Sequence, residues 1–164
     1  MENCEKSSGV QSTTEVTNTK CDIESVHTKP FSQQIESMVS YPCTDKRPQV
    51  AGWNTLTKKV PHAQGKQFGL LCGKTNNLIV IDCDLLKNSD PNRYVDGLYA
   101  WSEWEKKYGE VCAPRVKTGS GGRHIYFLYD KEIKHKNQQL DGALVDESLA
   151  GRKIKIDILT NGRN

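Results

Sequence analysis

Two carboxylates, Asp82 and Asp84, follow the apolar run Leu78-Ile79-Val80-Ile81. A short, largely β-branched run predicts a buried strand rather than a helix. Residues i and i+2 of a strand share a face, so the two carboxylates stand on the same side. Like charges that close repel, and burying them unpaired is costly. A hard divalent cation, Mg²⁺ or Mn²⁺, is the natural partner for such oxygen ligands. A second acidic strand is predicted at Lys153–Leu159, which alternates strictly. It sets Lys153, Lys155, Asp157 and Leu159 on one face, and Ile154, Ile156 and Ile158 on the other. Asp157 is thereby a candidate third metal ligand. Cys83, on the opposite face from Asp82 and Asp84, reads as core packing.

A glycine run, Gly119-Ser120-Gly121-Gly122, leads into Arg123-His124 and the alternating strand Ile125–Tyr129. Glycines let backbone N–H groups approach an anion, and Thr118 and Ser120 can add hydroxyl donors. One reading is a phosphate clamp in which amides, hydroxyls, guanidinium and imidazole converge. The other is a flexible turn with an incidental basic pair. A similar choice attends Thr44 to Lys59. There Pro and Gly predict a loop displaying Lys46, Arg47 and Trp53, which serves either phosphate contact and base stacking or simple coverage of the core by Trp53.

The elements that must position these residues are few. Phe31–Val39 has helical spacing and ends before Tyr41-Pro42. Phe68–Gly73 and Leu78–Asp84, joined by Lys74–Asn77, predict an antiparallel hairpin. Pro91–Tyr108 carries Tyr94, Leu98, Trp101, Trp104 and Tyr108 at helical spacing. This predicts a helix over the sheet with its aromatic stripe in the core, ended by Gly109. Pro114–Thr118 is a short strand, and Lys131–Leu149 has no period and reads as a loop or a solvated helix.

With 164 residues the chain can bury one core. Its mean hydropathy of -0.67 implies that part of it stays unpacked. Residues 1–29 are polar and poor in large apolar side chains, which predicts a disordered tail before a domain over 30–164. Within 1–30 there are three basic and five acidic residues, against twenty and fifteen in the rest, so the domain is basic and suits a polyanionic partner. Six cysteines without a C-x-x-C pair, and no His at finger-like spacing, argue against a zinc site and predict free thiols in a reducing, intracellular setting. No apolar run approaches the length of a membrane span.

Taken in order, Lys-Arg-Pro…Gly-Trp, Gly-Leu-Leu-Cys-Gly, Asn-Leu-Ile-Val-Ile-Asp-Cys-Asp, Thr-Gly-Ser-Gly-Gly-Arg-His-Ile-Tyr-Phe and Ile-Lys-Ile-Asp-Ile-Leu resemble the bifunctional DNA primase/polymerase domain of the archaeo-eukaryotic primase superfamily. The likeness runs from about Lys46 to Asn164. It implies an α/β fold, with a twisted, mainly antiparallel sheet flanked by helices. It implies nucleotidyl transfer with two Mg²⁺ or Mn²⁺ ions held by Asp82, Asp84 and Asp157. It further places His124 at the phosphates of an incoming dNTP or rNTP, with Ser120, Arg123 and Lys155 as helpers. Lys46, Arg47 and Trp53 fall on a recurring feature and are candidates for contact with the DNA template and primer. A helicase or other replication domain of a viral, plasmid or other mobile-element protein is the implied partner. The family usually continues past its third acidic strand into a further strand and a Pro-Pro-Ser-like segment. This chain ends seven residues after Asp157, so a C-terminally shortened domain is expected. An inactive domain that only binds nucleotide or nucleic acid is the alternative function, and a metal-dependent nuclease a third.

Overall fold

The structure, a computed structural model, describes residues 16–17, 31–63, 66–137 and 139–161. Eleven short strands and two helices occupy them: β1 (Val16–Thr17), α1 (Phe31–Ser37), β2 (Ser40–Thr44), β3 (Arg47–Pro48), β4 (Phe68–Leu70), β5 (Leu78–Cys83), β6 (Tyr94–Val95), α2 (Gly97–Tyr108), β7 (Arg115–Lys117), β8 (Arg123–Leu128), β9 (Lys136–Asn137), β10 (Lys153–Ile154) and β11 (Ile156–Leu159). Six of the strands form one antiparallel sheet in the order β1-β7-β8-β5-β11-β9. A smaller antiparallel sheet has the order β3-β2-β4, and β6 and β10 form a parallel pair. The expected α/β class with mainly antiparallel pairing therefore holds, with fewer helices than a flanked sheet suggests.

The central sheet is apolar on both faces near its middle, because β5 is apolar at every position from Leu78 to Ile81. On one face Ile81, Cys83, Ile125, Phe127 and Ile156 join Ala100 and Trp101 of α2 in a cluster. On the other, Leu78, Val80, Tyr126 and Leu159 pack with Cys72 and Leu70, which come from β4 and the segment after it. This second cluster covers only half of its face. Along β5 the same face runs from buried Leu78 and Val80 to the half-buried Asp82. Burial pushes the thiols of Cys72 and Cys83 up to about 12. For Cys83 the neighbouring Asp82 charge adds to burial, so this thiol is packing rather than a nucleophile.

Several expected elements form differently. The hairpin between the strands around Leu70 and Ile79 is reduced to a bridge at Gly73 and Leu78, because β4 pairs with β2 instead, Leu70 facing Ser40 and Phe68 facing Pro42. The side chain of Asn76 fixes that choice. Its amide donates to the carbonyls of Val39 and Leu71, and its oxygen accepts from Val39 N–H, at 2.7–2.9 Å. The helix expected from Pro91 starts at Gly97, since Asp96 accepts from Leu98 and Tyr99 N–H as its cap and Tyr94–Val95 pairs with β10. Gly109, at φ 100°, ends it as expected. The aromatic stripe of α2 is only partly core: Trp101 packs inside, while Trp104 and Tyr108 stack along the surface, Tyr108 being 61% exposed. Lys131–Leu149 contains β9 and two short 3-10 turns capped by Asp141 and Asp146. Of the expected tail, Val16–Thr17 pairs with Arg115–Val116, and the remainder lies outside the described residues. Cys43, Cys72 and Cys83 are free, whereas Cys112 is disulfide-bonded, so free thiols throughout are not what the fold contains. Among the described residues no helix is long and apolar enough to cross a membrane.

Candidate active site

The central sheet places its polar residues in one row. In consecutive strands Val116 of β7 faces His124 of β8, His124 faces Asp82 of β5, Asp82 faces Asp157 of β11, and Asp157 faces Asn137 of β9. Directly opposed residues of antiparallel strands project to the same face with Cβ atoms about 5 Å apart. The two acidic strands of the sequence are thus direct neighbours, and the histidine strand flanks them. His124 Nε2 stands 3.4 Å from Asp82 Oδ1. That carboxylate oxygen is buried and makes no hydrogen bond, an arrangement that costs stability unless a ligand completes it.

Asp84 lies one residue beyond β5. Its N–H donates to Lys155 O at 2.9 Å, which extends the ladder, and its carbonyl accepts from Gly97 N–H at 2.8 Å. Two glycines press on this backbone. A Cβ at Gly97 would lie 2.2 Å from Lys155 O and 2.8 Å from Asp84 O, and one at Gly122 would lie 2.6 Å from Cys83 O. Only residues without a side chain allow the start of α2 and the β7–β8 turn to close on Asp84 from two sides. Asp96 adds a further tie, since Oδ2 accepts from Leu86 N–H at 2.7 Å while Oδ1 caps α2.

The glycine run is the tip of the β7–β8 hairpin. Thr118 N–H donates to Gly122 O and Gly121 N–H to Thr118 O, at 3.0 and 2.9 Å, so these amides serve the turn. Thr118 and Ser120 hydroxyls pair at 3.0 Å. Arg123 and His124 were expected to converge but belong to β8, where neighbours point to opposite faces. Arg123 pairs with Cys83 and Lys117, and His124 with Asp82 and Val116. Lys155 sits at a bend between β10 and β11. Its ammonium goes to Ser89 Oγ at 3.1 Å and lies 5.1 Å over the Tyr94 ring, away from the row. Lys46 lies in the two-residue turn of the β2–β3 hairpin, where Asp45 and Lys46 adopt φ of 49° and 64°, and Arg47 opens β3. Trp53 rests against Tyr41, ring centroids 5.4 Å apart, as a half-buried cover. Lys46 and Arg47 belong to the β2–β3 hairpin of the smaller sheet and Trp53 to a 3-10 turn after it, so none of the three is on the sheet bearing the acidic row.

Among the described residues, no three His, Cys, Asp or Glu side chains are gathered so as to hold a metal ion. The donor chemistry nonetheless suits a hard cation: carboxylates at Asp82, Asp84 and Asp157, with one oxygen of Asp82 buried and unsatisfied. Two members of the neighbourhood escape a sequence reading. Asn137 lies in a stretch without periodicity, and nothing local marks it. Tyr126 could have been found, since it is two residues from His124 on a strand and must share its face.

The domain is thus an α/β fold on a mainly antiparallel sheet, with a histidine and two aspartates abreast on its central strands. Residues 27–164 match the family model of the bifunctional DNA primase/polymerase, N-terminal domain, and the chain belongs to that family. No curated protein and no solved structure matches it. Membership carries a primase/polymerase type of nucleotidyl transfer on DNA and nucleotide substrates, in a family that generally uses divalent metals.

Proposed function

We propose that this chain is a catalytic module that adds a nucleotide from a dNTP or rNTP to the 3′-hydroxyl of a primer paired to a DNA template. The observation that carries the reading is the His124–Asp82–Asp157 row, in register across three adjacent strands. Asp82, Asp84 and Asp157 would hold the divalent ions, which when bound supply charge neutralisation and lower the pKa of the attacking hydroxyl. His124, beside Asp82, would donate to a phosphate oxygen of the incoming nucleotide and fix its orientation for in-line attack. Ser120, at the tip of the hairpin that closes over Asp84, would add a hydroxyl donor to the same phosphates. Arg123 and Lys155 contribute positive potential around the site rather than direct contacts. Lys46, Arg47 and Trp53 offer a separate surface for the DNA strands.

A second reading, a domain that binds nucleotide without turning it over, draws on the lack of a gathered metal-ligand group among the described residues. Template-dependent primer extension with Mg²⁺ or Mn²⁺ separates the two. Wild type is expected to extend the primer and Asp82→Ala to lose at least about 100-fold in rate, the scale of removing one preorganised electrostatic group. If the two incorporate equally little while dNTP still binds, the binding-only reading takes its place. DNA cleavage without dNTP would point to a nuclease.

A further inference from the structure

Tyr126 is fixed by its strand position beside His124. Its ring is buried in the cluster of Leu78, Val80, Leu159 and Cys72, 8% exposed, and its hydroxyl lies 3.4 Å from His124 Nδ1. The two rings meet edge to face, centroids 6.1 Å apart. On the far side of the imidazole, Nε2 faces Asp82 Oδ1. The histidine is therefore held between a carboxylate and a phenol, one at each nitrogen.

No hydrogen bond joins them, but the carboxylate charge 3.4 Å away favours a proton on the nitrogen that faces it, so Nε2 carries the proton of the neutral ring. Nδ1 is then bare and needs a donor, and the Tyr126 hydroxyl is the group within reach. The tautomer follows from these partners. From this arrangement we infer that Tyr126 is a positioning residue that holds His124 in the Nε2–H tautomer, with that N–H directed to the acidic row where a nucleotide phosphate would be met. The inference rests on the proposed role of His124 at the nucleotide. Burial pushes the Tyr126 phenol far above its ordinary value, with the Cys72 and Asp82 charges adding to it, so the hydroxyl keeps its proton. A histidine without this anchor would divide between two tautomers and ring orientations. Only one of them presents a donor to the phosphate.

Tyr126→Phe removes the hydroxyl and keeps the buried ring. The test is the ¹⁵N spectrum of histidine-labelled chain at one fixed pH, with the His124 signal identified by its loss in His124→Ala, alongside titration with Mg²⁺-dATP. Wild type is expected to show Nε2–H at His124. Tyr126→Phe, with unchanged circular dichroism, is expected to show mixed tautomers and to bind dATP roughly threefold to tenfold more weakly, the worth of one hydrogen bond. An unchanged His124 spectrum in Tyr126→Phe overturns the inference. So does a changed spectrum with wild-type dATP affinity. If His124→Ala binds dATP as wild type does, the role of His124 at the nucleotide fails instead, and the spectrum by itself then decides whether Tyr126 orients the ring.

Discussion

Asp82 and Asp157 are directly opposed on β5 and β11, and like charges in that position destabilise a sheet by roughly 0.2–1 kcal/mol. Their juxtaposition is a cost to the fold that a bound cation would remove. Asp157→Asn keeps the size of the side chain and removes its charge, and unchanged circular dichroism would show that the strand still forms. The same substitution is expected to abolish primer extension. Primer extension at the wild-type rate would show that the Asp157 charge is not needed at the site. Gly97 and Gly122 belong to the same scale. Neither bears a reacting group, yet a methyl at either meets a backbone carbonyl of the residues that carry Asp84.

Helix α2 is joined to the sheet by charge as well as by packing. Near its end, Glu105 accepts from Val111 N–H at 3.0 Å and from both terminal nitrogens of Arg115, a buried residue at the start of β7. Arg115 also donates to Val111 O at 2.7 Å. Burial on its own would raise the Glu105 pKa, but the Arg115 and Val111 hydrogen bonds outweigh it, and the carboxyl is held below its usual range. A carboxyl lowered on folding contributes stability above its unfolded pKa and loses it as pH falls through the folded value. Glu105→Gln should thus be less stable than wild type at pH 7, and the gap in melting temperature should close as the pH is lowered below about 4. A gap that stays constant with pH would assign the loss to packing. Arg115→Met leaves the part-buried Glu105 carboxylate with its Val111 N–H partner but without the guanidinium, and about 1–3 kcal/mol of stability should be lost.

At the scale of the molecule, the smaller sheet covers half of one face of the central sheet and leaves the acidic half open. Asn76 is the tie between them, since it sits just before β5 and bonds the backbone of Val39 and Leu71. Asn76→Ala removes three hydrogen bonds, two of them to carbonyls left part-buried. About 2 kcal/mol should be lost, as one unsatisfied buried group costs 1–3 kcal/mol. Hydrogen exchange is expected to quicken first at Ser40–Pro42 and Phe68–Leu70, while β5, β8 and β11 stay protected. Uniform loss of protection across both sheets would mean that they unfold as one unit.

The strand Leu78–Cys83, the alternation at Ile156–Leu159, the end of α2 at Gly109 and the family were legible in the sequence because each rests on local pattern: apolar period, turn chemistry or motif order. The choice of pairing partners was not. Phe68–Leu70 could join either of two strands, and a distant asparagine settles it. Nor does local spacing say that Arg123 begins a strand, which turns it away from His124, or that Lys155 falls at a bend and spends its charge on Tyr94 and Ser89. Sequence spacing placed Asp82 and Asp84 together from i and i+2. Only the fold, by setting β8, β5, β11 and β9 side by side, put His124, Asp82, Asp157 and Asn137 in one row, because lateral neighbours in a sheet are fixed by long-range pairing that no local pattern encodes.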